Sequence, residues 1–134
     1  MRSAPTVLTP HEGELARLLG EEPEWVAAHR LEAVRRGAER FGCVCLLKGA
    51  DTLIAAPGHG VLVSALGTPA LATAGSGDVL TGIVAAFLAK GMEPRLAAAA
   101  AAAAQQLAST LIPQSGAIAS DIVGALPLVL DAPV

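Results

Sequence analysis

Five consecutive apolar residues, Cys43 to Leu47, lie between Gly42 and the pair Lys48-Gly49. A run this short, with no polar alternation, reads as a strand covered on both faces. The flanking segments supply the cover. Before it, Pro23 opens a helix at a position that suits proline. That helix carries an apolar stripe of Ala27, Leu31, Val34, Ala38 and Phe41 and stops at Gly42. Further upstream, residues 5–9 form a β-type run closed by Pro10, and Glu12 to Leu19 a short helix ending at Gly20. Downstream, Thr52 to Ala55 and Gly60 to Ser64 read as two more strands, joined by the turn Pro57-Gly58-His59-Gly60. Helices follow from Asp78 to Ala89 and from Pro94 to about Leu111, and Ser120-Asp121 caps a last one through Leu130. Strands alternating with helices predict a three-layer α/β/α domain with a largely parallel sheet.

The 134 residues suffice for one domain, spanning 1–134. Apolar residues make up 53% but aromatics only 2%, so Ala, Leu, Val and Ile must build the core. The eight alanines 97–104 read as a helix packed tightly against a neighbour, since alanine is small and the best helix former. A net charge of −3 and the lack of a basic run argue against a nucleic-acid partner. No apolar stretch reaches the roughly 18 residues of a membrane span, and Thr9 to Glu14 interrupt the N-terminus too early for a signal peptide. Cys43 and Cys45, two thiols without a disulfide framework, fit a reducing cytoplasm.

Chemistry concentrates in Ala74-Gly75-Ser76-Gly77-Asp78, directly before an apolar helix. A helix start leaves backbone N–H groups without intrahelical partners and carries about half a positive charge, so it favours an anion such as phosphate. Glycines let the backbone come close to that anion. Asp78 beside it suggests a carboxylate that handles a proton or a metal. The same turn also suits an ordinary helix start. Ser76 has no evident His partner and reads as a loop residue rather than a nucleophile. A second cluster, Thr9-Pro10-His11-Glu12-Gly13-Glu14, follows the first strand, where ligands of open α/β sheets bind. It serves equally as a helix start, with Thr9 as cap and Glu12 and Glu14 complementing the dipole. In the third, Lys48-Gly49-Ala50-Asp51-Thr52, a cation and bare backbone stand at a strand end, as a phosphate site or as a plain charged turn. His59 reads as a solvated turn residue. No zinc spacing, Gly-x-Ser-x-Gly elbow or P-loop is present in the sequence.

In that order, VLTPHEGELARLLG, LLKGADTLIAAPG, LATAGSGDVLTGIVAAFLAKG and ASDIVGALPLVL resemble the C-terminal half of the ADP/ATP-dependent NAD(P)H-hydrate dehydratases, members of the ribokinase-like superfamily. The resemblance implies dehydration of the S epimer of hydrated NADH or NADPH, coupled to cleavage of ADP or ATP with Mg2+. It implies that Asp78 is the base and contacts the hydrated nicotinamide, and that the backbone of Gly75, Ser76 and Gly77 forms an anion hole. It also implies that Lys48, Gly49, Ala50, Asp51, Thr52 and Gly77 bind the adenine nucleotide and that His11 contacts the substrate. Glu14 would help organise the metal indirectly.

The family's domain is roughly twice as long, so the resemblance implies a partial ribokinase-like domain lacking the N-terminal half. The expected partners are therefore a second copy of the chain or that missing half. Ala74 stands where the family has a glycine, Ala65-Leu66-Gly67-Thr68 where it has an Asn-rich loop, and Gln105-Gln106 where it has a His-Gly pair. Two alternatives remain open from the sequence: a superfamily kinase acting on a sugar, thiazole or pyrimidine alcohol, and a nucleotide-binding half-domain without turnover.

Overall fold

The computed structural model describes residues 3–131. Two layers of helices enclose a four-stranded sheet of β1 (Val7–Leu8), β2 (Val44–Leu47), β3 (Thr52–Ala55) and β4 (Leu62–Ser64), in that spatial order. The apolar run is decisive, because all four residues of β2 are buried. Its side chains alternate between two cores. Cys45 and Leu47, with Leu53 and Ala55 of β3, face α1 (Glu12–Leu19), α2 (Pro23–Ala28) and α3 (Arg30–Phe41). Val44 and Leu46, with Ile54, face α4 (Ser76–Ala89) and the alanine helix α5 (Pro94–Ser109). The last helix, α6 (Ala119–Leu130), packs on α5 through Ile122 and Ala125 against Ala108. Each large side chain sealed in this way contributes on the order of 1.5–3 kcal/mol.

The three layers are as expected, but the sheet is not largely parallel. Only β1 and β2 run parallel, while β2–β3 and β3–β4 are antiparallel, with Leu46 opposite Ile54 and Leu53 opposite Val63. Connection length explains this. A parallel pair needs a crossover of about a dozen residues or more, which residues 9–43 provide and residues 48–51 do not.

The helix expected from Pro23 to Phe41 is two helices. His29, at φ −133° and ψ 47°, breaks it; its ring stacks on Trp25 with centroids 4.8 Å apart, and its Nδ1–H donates to Trp25 O over 2.8 Å. The break shifts the buried stripe to Val26, Ala33, Val34, Gly37 and Ala38, and leaves Ala27 and Leu31 exposed. Two caps also differ from expectation. His11, not Thr9, caps α1, and Ile118, not Ser120, precedes α6, with its N–H held by the Asp121 carboxylate at 2.9 Å. Gly75 takes φ 88° just before α4, a conformation that a side chain would strain.

Both cysteines are buried thiols. Burial first, and the neighbouring Cys43 second, push the Cys45 thiol from 9.0 up to about 12. No helix among the described residues is long and apolar enough to cross a membrane.

Candidate active site

Because β1 and β2 are parallel, their C-terminal ends lie at the same end of the sheet, and β3 begins there. The N-terminus of α4 and the later turns of α5 reach the same end, enclosing a cavity of about 650 Å³. Its walls include His11 after β1, Lys48, Gly49 and Ala50 after β2, Thr52 at the start of β3, and Ser76 and Gly77 at the start of α4. Of the remaining residues singled out from sequence, Glu14, Asp51, Gly75 and Asp78 flank these segments without lining the cavity, and Asp78 is exposed. His59 is exposed in its turn, away from the cavity.

Lys48 ties the two main walls together. Its backbone N–H donates to Pro10 O at 2.9 Å, which locks the β2 end to the segment before α1. Its ammonium reaches across to α4, so close that a Cβ on Gly77 would lie 2.9 Å from Nζ. Glycine at 77 lets the ammonium lie against the helix start without being displaced. Among the described residues no carboxylate pairs with this ammonium. A cation is thereby held beside the positive end of a helix, an arrangement that repels itself until an anion lies between.

The glycine loop is braced from behind. Ser76 Oγ donates to Leu71 O at 2.8 Å, so the hydroxyl is spent on the loop's own backbone. Thr73 Oγ1 donates to Ala70 O at 2.7 Å, and Gln105 Nε2 donates to Ser76 O at 2.6 Å. Ser76 N–H and Asp78 N–H close tight turns onto Thr73 O and Gly75 O. The N–H groups of Gly75 and Gly77 have no protein acceptor among the described residues.

At α1 the cap is reciprocal. Glu14 N–H donates to His11 Nδ1 at 3.2 Å, and His11 N–H to Glu14 Oε2 at 3.1 Å. His11 Nε2 lies 3.1 Å from Glu14 Oε1. With Nδ1 accepting, the neutral imidazole carries its proton on Nε2, facing the carboxylate.

Three contributors escaped sequence reading. Gln105 and Gln106 are buried on α5, where the sequence marks them only as a departure from a family pattern. Gln106 is fully engaged: Nε2 donates to Ser64 O (3.1 Å) and Thr52 Oγ1 (3.4 Å), and Oε1 accepts from Leu66 N–H (3.1 Å) and from Ser64 Oγ. One helix thus grips the glycine loop with one amide and the β3–β4 wall with the next. The third contributor is Arg30, a polar residue on an amphipathic helix with no local signal of its own.

Among the described residues, no three His, Cys, Asp or Glu side chains gather to hold a metal. Both Glu14 oxygens face His11, and Asp78 stands exposed. Mg2+ keeps several waters and takes one or two carboxylates, a number that the bordering acids Glu14, Asp51 and Asp78 cover.

The layered fold is that of the ribokinase-like α/β proteins. A ribokinase-like superfamily protein from Enterococcus faecalis superposes with a TM-score of 0.78 at 30% identity, over 93% of this chain and 43% of that one. Residues 1–128 match the model of one family, described as NAD(P)H-hydrate dehydratase. The chain belongs to the NAD(P)H-hydrate dehydratase family. The bifunctional NAD(P)H-hydrate repair enzyme Nnr of Moorella thermoacetica is 45% identical over 130 residues, which are 94% of this chain and 24% of that protein. The ADP-dependent (S)-NAD(P)H-hydrate dehydratase of Neisseria meningitidis serogroup B is 44% identical over 117 residues, 87% of this chain and 40% of that protein. The ADP/ATP-dependent NAD(P)H-hydrate dehydratase from Bacillus subtilis, co-crystallised with ATP/Mg2+, superposes with a TM-score of 0.87 at 30% identity over 98% of this chain and 49% of that one. A hydroxyethylthiazole kinase from Pyrococcus horikoshii, 21% identical, shares the fold alone. The chain thus spans half or less of the length of each of these relatives.

Proposed function

We propose that the chain carries the nucleotide- and phosphoryl-handling part of an ADP- or ATP-dependent (S)-NAD(P)H-hydrate dehydratase, a cytoplasmic metabolite-repair enzyme. One observation carries the reading: the Lys48 ammonium, without a carboxylate partner among the described residues, packed over Gly77 at the start of α4, above a cavity shared by the 48–52 turn and the glycine loop. That charge pattern calls for an anion that must also reach a turn of bare backbone, as a nucleotide does. The family and the relatives' own names supply the reaction class.

In this proposal the turn Lys48 to Thr52, together with Gly77, binds the adenine nucleotide. The Gly75–Gly77 backbone, with Ser76 braced from behind, receives the transferring phosphoryl group. Asp78 takes the proton from the hydroxyl of the hydrated nicotinamide ring as that oxygen attacks the terminal phosphorus, and AMP or ADP leaves. Phosphate then leaves from that ring carbon while the neighbouring carbon gives up a proton to solvent, and the double bond of the reduced nicotinamide is restored. His11 contacts the substrate and is held in orientation by Glu14. Mg2+ on the nucleotide phosphates would supply charge neutralisation, with Glu14 contributing indirectly. Residues 1–134 form part of a single ribokinase-like domain, its pocket completed by the complementary half or by a second copy of the chain.

The test is recovery of the reduced-nicotinamide absorbance from hydrated NADH on adding ADP or ATP with Mg2+. Asp78→Asn is expected to lose most turnover while still binding nucleotide. Undiminished turnover in that variant removes Asp78 from the mechanism.

A further inference from the structure

Behind the 48–52 turn lies a half-buried cation. Arg30, the first residue of α3, sends its guanidinium under the turn. Nη1 donates to Glu12 Oε1 at 2.6 Å, and Nη2 donates to Asp51 O at 2.6 Å. A longer contact of 3.5 Å runs from Nη1 to Lys48 O. One planar cation thus ties the first turn of α1 to both ends of the turn between β2 and β3. Glycine at 49 leaves the guanidinium its place, since a Cβ there would lie 2.6–2.9 Å from its atoms and displace it. Meanwhile the N–H groups of Gly49, Ala50 and Asp51 donate to no protein acceptor among the described residues. Carbonyls are drawn inward onto a charge, and amides are left for something else.

Resting on the proposal that this turn binds nucleotide, we infer that Arg30 is the positioning residue of the nucleotide site. It fixes the peptide planes of residues 48–51 so that the amides of Gly49 and Ala50 and the Lys48 side chain face the cavity, and a side chain at Gly49 would push the guanidinium off its partners. Glu12 neutralises and orients Arg30, which links the turn to the α1 start that carries His11. Lysine cannot replace this function, since a single ammonium lacks the planar fork that spans Glu12 and Asp51 O together.

The experiment is calorimetric titration of ADP with Mg2+ into the full chain and into Arg30→Met, Arg30→Lys, Gly49→Ala and the Arg30→Met/Gly49→Ala pair, each well below its melting temperature. Arg30→Met is expected to weaken ADP binding about tenfold, as loss of a charge-assisted hydrogen bond implies, with Arg30→Lys recovering little. Gly49→Ala should weaken binding comparably when Arg30 is present and have little further effect when it is absent, because the clash is with the guanidinium. A purely structural brace would lower the melting temperature and leave the affinity unchanged, and that result overturns the inference. A full Gly49→Ala effect in the Arg30→Met background also overturns it, because the methyl would then be acting on the ligand directly. Should Arg30→Met not fold, Gly49→Ala against Arg30→Lys gives the same comparison. No ADP binding by the parent chain overturns the nucleotide reading, and the inference with it.

Discussion

The two faces of the sheet differ in one helix, the alanine-rich α5. On the α1–α3 side, large side chains (Leu15, Val34, Leu47) fill the space between helix and strand. On the other side, Ala98, Ala101 and Ala102 let α5 lie close over Val44, Leu46 and Ile54. Closeness there has a purpose, since it puts the amides of Gln105 and Gln106 within reach of two loops at once. A helix standing off by the width of a leucine could not do this. On this second face α4 supplies the bulk through Leu80, Ile83 and Val84, and α5 alone gives it up to position the site.

That contrast can be broken by substitutions of opposite kind. The largest effect is expected for Leu15→Ala, which empties a fully buried site and should cost about 2–5 kcal/mol in chemical denaturation. Ala101→Leu on the other face should cost about 1–3 kcal/mol by overpacking; a neutral result would show that α5 has room to move. Gln106→Leu preserves bulk but strands the Ser64 hydroxyl and the Leu66 N–H. Its expected cost is about 1–3 kcal/mol, with faster hydrogen exchange at residues 64–68. Absence of that local exchange would mean that the wall stands without the amide.

The smallest effect at neutral pH belongs to Cys45. Its folded-state pKa is raised from 9.0 to about 12, so the folded chain disfavours the thiolate. The associated stability is intact below 9.0 and declines as pH rises toward about 12. Alkylation of Cys45 near pH 8 should therefore track unfolding rather than proceed in the native state. Rapid native-state labelling would show that the α1–α3 face is looser than its packing implies.

How much could be read in advance follows from where each signal resides. The β2 run, the Pro23 and Pro94 helix starts and the glycine loop carry their information locally, and each element lies where the residues put it. Strand direction was also within reach, because four residues between Leu47 and Thr52 cannot make a crossover. The break at His29 was not, for it depends on a ring stacking back on Trp25. The cap at His11 was hidden because Thr9 is the commoner residue type for that task. Arg30, Gln105 and Gln106 act across 18 to 54 positions of chain. A periodic pattern shows only that such residues are polar, or out of place, and never what they touch.

Gly37, in the middle of α3, is a poor helix residue, costing about 1 kcal/mol against alanine. It persists in a space defined by others: an added Cβ would meet Cys45 Sγ at 3.0 Å and Leu15 Cδ1 at 3.1 Å. Positions 15, 37 and 45 therefore share one fixed volume across three elements. Among relatives they should drift together rather than singly, a larger residue at 37 arriving only with a smaller one at 45 or 15. In that correlated drift, the thickness of this layer of the protein would be written as an inherited constraint.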